Sequence, residues 1–477
     1  MQLIEIPISY PWLGMRLNGL WINRRDGVRT WRSPHWMSLL FLLWFIGLNV
    51  GRVQADWPEI LGPQRNGHGV LSKDLADHAN SPPKLRWEID AGLGYAGASI
   101  QDQQVALFDR KDNSDVLRLV SLEDGKEIWN IAFPATYARG IDADNGPRCV
   151  PQLLKDVVLA HSAGGVLHCV NRIDGTKRWS RALRREFGAE DGYFGAGSSP
   201  LVVGNTIIVC VGGRKNAGVV AVNLTDGKNL WQSTDADASY SSPILIDSSV
   251  RPGLKTVVAT TRLATYGLDP RTGNVRWQFP FGQRGPTVNA ATPIEVKQGQ
   301  LFFTASYGIG QLIVKPDPET VRIMNKGDAI SSQYATPVAV GDWIFGCDGR
   351  EDGGSASFRC IDGLEGKLIW SHSVPSICHT IALDPSPAIE SPAIESPVIE
   401  KKDSTADISP RMLSTNLLIL GIRGELWYCP ADQEGFKPHW TSALPPGIYR
   451  ALPAMSENLL VVRTSGGSNS KWCCFEL

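Results

Sequence analysis

The chain carries no excess charge of either sign. Its 47 Lys and Arg face 48 Asp and Glu, a formal net charge of −1. That balance excludes a nucleic-acid binder working by phosphate neutralisation. Cysteine is sparse, nine scattered over 477 residues, which excludes a scaffold held by a disulfide framework. No nucleophile motif and no mapped carboxylate pair emerges, so peptidase and glycosidase chemistry has no support. The clearest apolar run, Met37 to Val50, falls short of the ~20 residues a spanning helix needs. What remains is the composition of a folded protein, 43% apolar and 20% charged, long enough for a large core. The conspicuous excess is tryptophan, with 16 copies.

Residues 1–55 read as a signal peptide or N-terminal anchor. Arg24, Arg25, Arg29 and Arg32 precede the apolar run, and Val53-Gln54-Ala55 offers a small-residue cleavage site. The alternative is an uncleaved membrane anchor over residues 37–50. Asn23 and Asp26-Gly27 fit twin-arginine export poorly, and Met15 is an alternative start. No Cys precedes Cys149, so lipid attachment at a processed N-terminal Cys is not expected. Without residues 1–55, 41 basic side chains face 46 acidic ones. This mild acidity gives no reason to expect attraction to an anionic membrane surface or a polyanion.

A phrase of Asp-Gly, three residues and Trp recurs along the rest. It ends at Trp129, Trp179 and Trp231, appears as Thr-Gly at Trp277 and Glu-Gly at Trp370, and returns loosely at Trp440. The gap from Trp277 to Trp370 is twice the others, and Met324 sits near its middle, where a flexible apolar side chain is expected to fill a Trp site imperfectly. The gap before Trp440 holds a Pro-spaced low-complexity stretch, residues 385–410, expected to be a surface loop. Each period contains a Pro-marked strand start, such as Ser198-Ser199-Pro200 or Ala335-Thr336-Pro337, then β-branched runs, a Gly turn and the Trp strand. Four short strands per period predict a blade of a β-propeller. Seven units end at Trp129, Trp179, Trp231, Trp277, Met324, Trp370 and Trp440. Three more strands follow, and an orphan Trp strand at Lys84–Ile89 precedes the first unit. The prediction is therefore all-β: an eight-bladed propeller, residues 84–477, closed by the N-terminal strand pairing in the last blade. Residues 56–83 form an N-terminal arm. Trp87, Trp129, Trp179, Trp231, Trp277, Met324, Trp370 and Trp440 are expected to dock blade on blade, each Trp placing its indole N–H on a neighbouring backbone group. Cys169, Cys360, Cys429 and Cys474 fall in the slot of Ala221 and are expected to be small packing residues.

The D-G-x-x-x-W and T-G-x-x-x-W phrases resemble the tryptophan-docked repeat of pyrroloquinoline-quinone (PQQ) enzymes and their non-catalytic relatives, the quinoprotein alcohol dehydrogenase-like superfamily. Asp56-Trp57-Pro58-Glu59-Ile60-Leu61-Gly62-Pro63-Gln64-Arg65-Asn66-Gly67 resembles the start of secreted bacterial propellers of this group. The repeat form is also similar to that of the propeller subunit of the outer-membrane barrel-assembly machinery. The resemblance implies a fold and leaves function open. A quinone dehydrogenase of this kind needs a Ca²⁺-type ion with oxygen ligands and a carboxylate base. No Cys-x-x-Cys-His is present for a covalent haem, and the vicinal pair Cys473-Cys474 falls on a third strand rather than in a mouth loop.

Long polar segments run from each Trp to the next Pro-marked strand. Three residues before the strand-start position lie Arg148, Tyr240, Tyr334, His379 and Arg450. Equivalent positions in a ring converge on its axis, so these five are expected to surround the channel mouth, with Asp142, Asp144, Glu190 and Asp191 nearby. Such a ring suits a polar or anionic small molecule, a sugar or a peptide segment. A solvated rim without a ligand is the competing reading. The expectation is an exported, periplasmic or secreted bacterial propeller, monomeric, that binds an envelope protein or a polar small molecule. It requires no metal, no cofactor and no catalytic residue. The alternative is a PQQ-dependent alcohol or sugar dehydrogenase with a calcium ion.

Overall fold

Runs of β-branched residues separated by tight turns fold into eight separate sheets. The computed structural model describes residues 56–71, 75, 82–138, 140–285, 287–385, 414–465 and 469–477. The expected leader, residues 1–55, and the low-complexity stretch after Pro385 lie outside the described residues. Among the described residues no helix is long and apolar enough to cross a membrane.

The sheets are the eight blades of a propeller, in chain order residues 99–134, 152–182, 201–233, 244–280, 294–327, 338–374, 378–443 and 454–476. Within each, consecutive strands pair antiparallel, with the first strand innermost. The outer strand of blade eight is Lys84–Asp90, paired antiparallel with Lys471–Glu476 so that Trp87 opposes Cys474. The ring closes as the orphan Trp strand predicted, and closure removes the open edge that an unclosed blade would expose. The arm is not separate from the ring. His68–Leu71 runs parallel to Cys378–Pro385 and makes blade seven five-stranded.

The outer strands explain the tryptophans. In blades one to four, blade six and blade eight, a one-residue bulge immediately precedes the Trp. The bulge turns the ring sideways into the next blade. Indole N–H groups donate across the blade interfaces: Trp87 to Leu122 O at 2.8 Å, Trp129 to Arg172 O at 2.8 Å, Trp179 to Leu224 O at 3.0 Å, Trp231 to Pro270 O at 3.1 Å and Trp370 to Asp432 O at 3.0 Å. Trp440 donates to Leu75 O of the arm at 2.9 Å. The turn Gly of the following blade lies under the indole. A Cβ on Gly175, at φ +69°, would sit 2.6 Å from the Trp129 ring.

Blade five departs from the pattern. Met324 does not dock. It is the bulge residue, 48% exposed, like Leu230 and Ile369 in other blades. Asn325 takes the Trp position opposite Ile313. Gln311 bridges the blades there, donating from Nε2 to Gly366 O at 2.8 Å and accepting from Ile330 N–H at 2.9 Å. A polar amide bridge therefore replaces an indole, one residue later than the spacing suggested. Trp277 is buried with no indole hydrogen bond among the described residues, facing a turn, Asp317-Pro318-Glu319-Thr320, that has lost its Gly.

One cysteine placement also changes. Cys169, Cys360 and Cys474 oppose the blade Trp as Ala221 does. In blade seven that slot belongs to Tyr428, which opposes and stacks on Trp440 at 5.5 Å. Cys429 is the next residue, so it faces the other side of its sheet. All nine cysteines are buried and free.

Candidate functional site at the channel mouth

The innermost strands point at a common axis, and two devices join them there. The first is a belt of hydroxyls at the residue before each marked Pro. Val150 N–H donates to Ser199 Oγ at 3.0 Å, Ser199 N–H to Ser242 Oγ at 2.9 Å, Ser242 N–H to Thr292 Oγ1 at 3.4 Å and Thr292 N–H to Thr336 Oγ1 at 3.0 Å. Neighbouring inner strands share no ladder, so these side chains supply the partners their backbone donors need. The Ser-Pro and Thr-Pro pairs are legible in the sequence, but the hydroxyls' partners lie on neighbouring blades and are set by the tertiary structure.

The second device is the arm. Trp57 bridges to Ile100, Pro58 O accepts from Leu153 N–H, and Gly67 O accepts from Ala382 N–H. Arg65, 4% exposed, donates to Pro243 O at 2.8 Å and to Pro200 O, while Glu59 pairs with its Nε. His68 contacts Asp384 and Ala339 O, both at 2.8 Å. One short segment thus ties the inner strands of blades one, two, three, four, six and seven. Burial works against the charged form of His68, but the Asp384 hydrogen bond and charge outweigh it and raise its pKa.

At the mouth, Arg450 donates to Glu351 Oε1 from Nε at 2.8 Å and from Nη2 at 2.5 Å, and to Tyr95 Oη from Nη1 at 2.8 Å. Tyr334 O–H donates to Glu351 Oε2 at 3.0 Å. His379 is 2% exposed, contacts Arg450 O through Nε2 at 3.1 Å, and lies 6.0 Å from the Tyr334 ring. Arg148 also lies against the group, 5.4 Å from the Tyr95 centroid and 5.9 Å from that of Tyr137. Its guanidinium donates to Gly146 O and Asp144 O, each at 2.6 Å. Asp142 accepts from Tyr95 O–H at 2.9 Å, and Asp144 accepts from Gly94 N–H at 2.7 Å. Arg148, Tyr334, His379, Arg450, Asp142 and Asp144 therefore meet around Tyr95 and Glu351.

Tyr95 and Glu351 escaped the sequence reading for identifiable reasons. Tyr95 lies three residues before Ala98, which stands where other blades have Pro, so the marker was missing. Glu351 lies in the turn between the second and third strands of blade six. Such turns open on the same face as the loops that run from each Trp to the next Pro-marked strand. The remaining expected residues lie elsewhere on the rim. Tyr240 accepts from Phe194 N–H at 2.8 Å, beside Arg184. Glu190 is 83% exposed and paired with Arg214, and Asp191 is exposed.

The chemistry of this cluster is that of a closed hydrogen-bond network. Burial and the bond to Asp142 push Tyr95 up to about 12. Burial and Glu351 raise Tyr334, and burial lowers His379 to about 4. Both oxygens of Glu351 are engaged, so it is not a free base for a substrate hydroxyl. Asp142 and Asp144 are likewise committed. Among the described residues no group of three or more His, Cys, Asp or Glu is placed to hold a metal ion. These donors do not fit a calcium-bound quinone. Nearby, Cys149 Sγ lies 3.7 Å from His161 Nδ1. Burial pushes the thiol up to about 12 and the imidazole down to about 4, which makes this a neutral, inert pair rather than an activated nucleophile.

Comparison with known proteins bears on the whole ring. A family model described as outer membrane protein assembly factor BamB matches residues 112–372. The outer membrane protein assembly factor BamB of Salmonella typhimurium is 35% identical over 100 residues, which span 20% of this chain and only 24% of that relative. The structure of BamB from Moraxella catarrhalis superposes with a TM-score of 0.53 at 14% identity, covering 83% of this chain and 98% of that one. A quinohemoprotein alcohol dehydrogenase from Comamonas testosteroni gives 0.46 at 12% identity, over 90% of this chain and 82% of that one. With the family model covering more than half of its residues, this chain belongs to the BamB family of PQQ-like β-propellers.

Proposed function

We propose that the protein is a non-catalytic interaction scaffold of the cell envelope that serves outer-membrane protein assembly, the role its family is named for. The observation that carries the reading is the state of the mouth. Its carboxylates, Asp142, Asp144 and Glu351, are bonded to neighbouring protein groups. A dehydrogenase needs some of them free, whereas a rigid rim that presents shape and charge to a partner does not. In this reading residues 1–55 direct export, the partner is an envelope protein, the propeller is monomeric, and no cofactor is assigned.

Two measurements test it. Loss of the gene in its native host is expected to lower the amount of folded barrel proteins in the outer membrane. Purified protein mixed with PQQ and Ca²⁺ is expected to show no stoichiometric quinone absorbance and no dye-linked alcohol oxidation. An active stoichiometric complex would overturn the proposal in favour of a quinoprotein dehydrogenase.

A further inference from the structure

Among the described residues the buried arginines other than Arg184 each have a hydrogen-bond or ion-pair partner. Arg110 pairs with Asp115 at 2.8 Å and Arg118 pairs with Asp109. Arg172 donates to Gln104, Gln101 and Leu154 O, and Arg65 pairs with Glu59. Arg463 also leaves Nε and Nη1 unpartnered, but its Nη2 donates to Gly92 O at 2.6 Å and its guanidinium lies over the Trp472 ring. Arg184 is 7% exposed, and its Nε and Nη1 are buried with no hydrogen-bond partner. Among the described residues it forms no ion pair. A buried guanidinium without an ion pair is costly; desolvation lowers its pKa, and the charge of the exposed Asp191 opposes that only in part.

The surroundings of Arg184 are built around this cation. Its aliphatic stem lies over Gly165, where any Cβ would collide with it. A glycine-rich loop, Gly192 to Gly197, wraps a small pocket lined by Arg184, Tyr240, Ser239 and Cys210. Tyr240 Oη accepts from Phe194 N–H, and its own proton has no acceptor among the described residues. A Cβ on Gly197 would strike the Tyr240 ring, and one on Gly192 would fall 3.5 Å from Tyr240 Oη. The glycines thus leave space where side chains would fill it. Arg184, with two guanidinium nitrogens left unpartnered, and Tyr240 thus line one pocket.

We propose that the Arg184–Tyr240 pocket is a binding site for a carboxylate. A carboxylate supplies two acceptor oxygens and one negative charge, which matches the fork of a guanidinium and a neighbouring hydroxyl. The pocket is small, so it takes the carboxylate head and leaves the remainder outside. The carrier is either a free small acid or an acidic group on a partner protein. The site is independent of the assembly reading, since it rests on Arg184 alone and stands or falls without it.

The test uses the whole chain and acetate as probe. At constant ionic strength, with chloride replaced stepwise by acetate, the melting temperature is expected to rise saturably. Arg184→Met keeps the stem over Gly165 and removes the charge. It is expected to melt no lower than the parent without acetate and to lose the acetate response. Tyr240→Phe is expected to weaken the response several-fold. If Arg184→Met does not fold, Arg184→Lys, which keeps the charge and loses the fork, replaces it and is expected to shift the half-saturating acetate concentration upward at least tenfold. A short peptide with an internal Glu distinguishes the sources. Tighter binding than acetate assigns the pocket to a partner protein, and equal or weaker binding assigns it to a free acid. An unsaturable response in the parent, or an unchanged response in both Arg184 variants, would overturn the proposal.

Discussion

Gly175→Ala is the sharpest probe of blade docking. The residue sits at φ +69°, so any side chain carries left-handed strain of about 1–2 kcal/mol. The added Cβ would also lie 2.6 to 3.1 Å from three atoms of the Trp129 ring. Carbon pairs prefer about 3.5–4.0 Å, so the indole must move. Overpacking of this kind costs about 1–3 kcal/mol. Displacing the indole also weakens its 2.8 Å bond to Arg172 O, worth about 1 kcal/mol net. The sum is roughly 3–6 kcal/mol. Gly204→Ala is the matched control, because Gly204 has φ +60° and nothing within 4 Å of its added Cβ. It should cost the strain alone. Urea unfolding of both variants, compared at the midpoint with unchanged slope, reads the difference. In a Trp129→Leu background the two alanines should cost the same. Equal losses in the parent background would refute the claim that Gly175 is required by the indole above it.

Three further outcomes follow from the same contacts. Arg65→Met leaves Glu59, 16% exposed, without its counter-charge and should lower stability by about 3–5 kcal/mol; a urea-derived loss below about 1 kcal/mol would contradict the role of the arm at the axis. His161 and His379 have folded pKa values of about 4 against 6.5 unfolded, so their neutral forms favour the fold. That stability is fully present above pH 6.5 and is lost as pH falls towards 4, and His379→Gln should flatten part of the slope of urea midpoint against pH. Removing residues 56–90 takes away the outer strand of blade eight and its Trp87 dock, and should yield aggregating or unfolded protein by size exclusion rather than a seven-bladed monomer.

Much of the fold was legible because a propeller repeats its own solution. Each blade must bury a Trp against the next, so the Trp spacing counts blades, and the orphan strand at Lys84–Ile89 announces closure. The reading slipped where a blade solves the problem differently. Nothing in a period of about 47 residues distinguishes Met324 from Asn325, because the bulge that sets the register is a tertiary feature. Gln311, which replaces the indole, lies on another strand and carries no repeat signal. The mouth was partly legible for the same reason: phase brought Arg148, Tyr334, His379 and Arg450 together, and missed Tyr95 where Pro gives way to Ala98.

The amino-acid sequence by itself determined the architecture, since periodic Gly turns and Trp strands dictate local geometry and leave only one closed ring that buries their faces. Only the tertiary structure decided how charge is distributed. Whether an arginine is neutralised depends on which carboxylate the fold brings within about 4 Å. Arg450 acquires Glu351 from 99 residues away in the chain. Arg184 is buried more deeply than Arg450 and forms no ion pair among the described residues, and spacing along the chain does not reveal that difference.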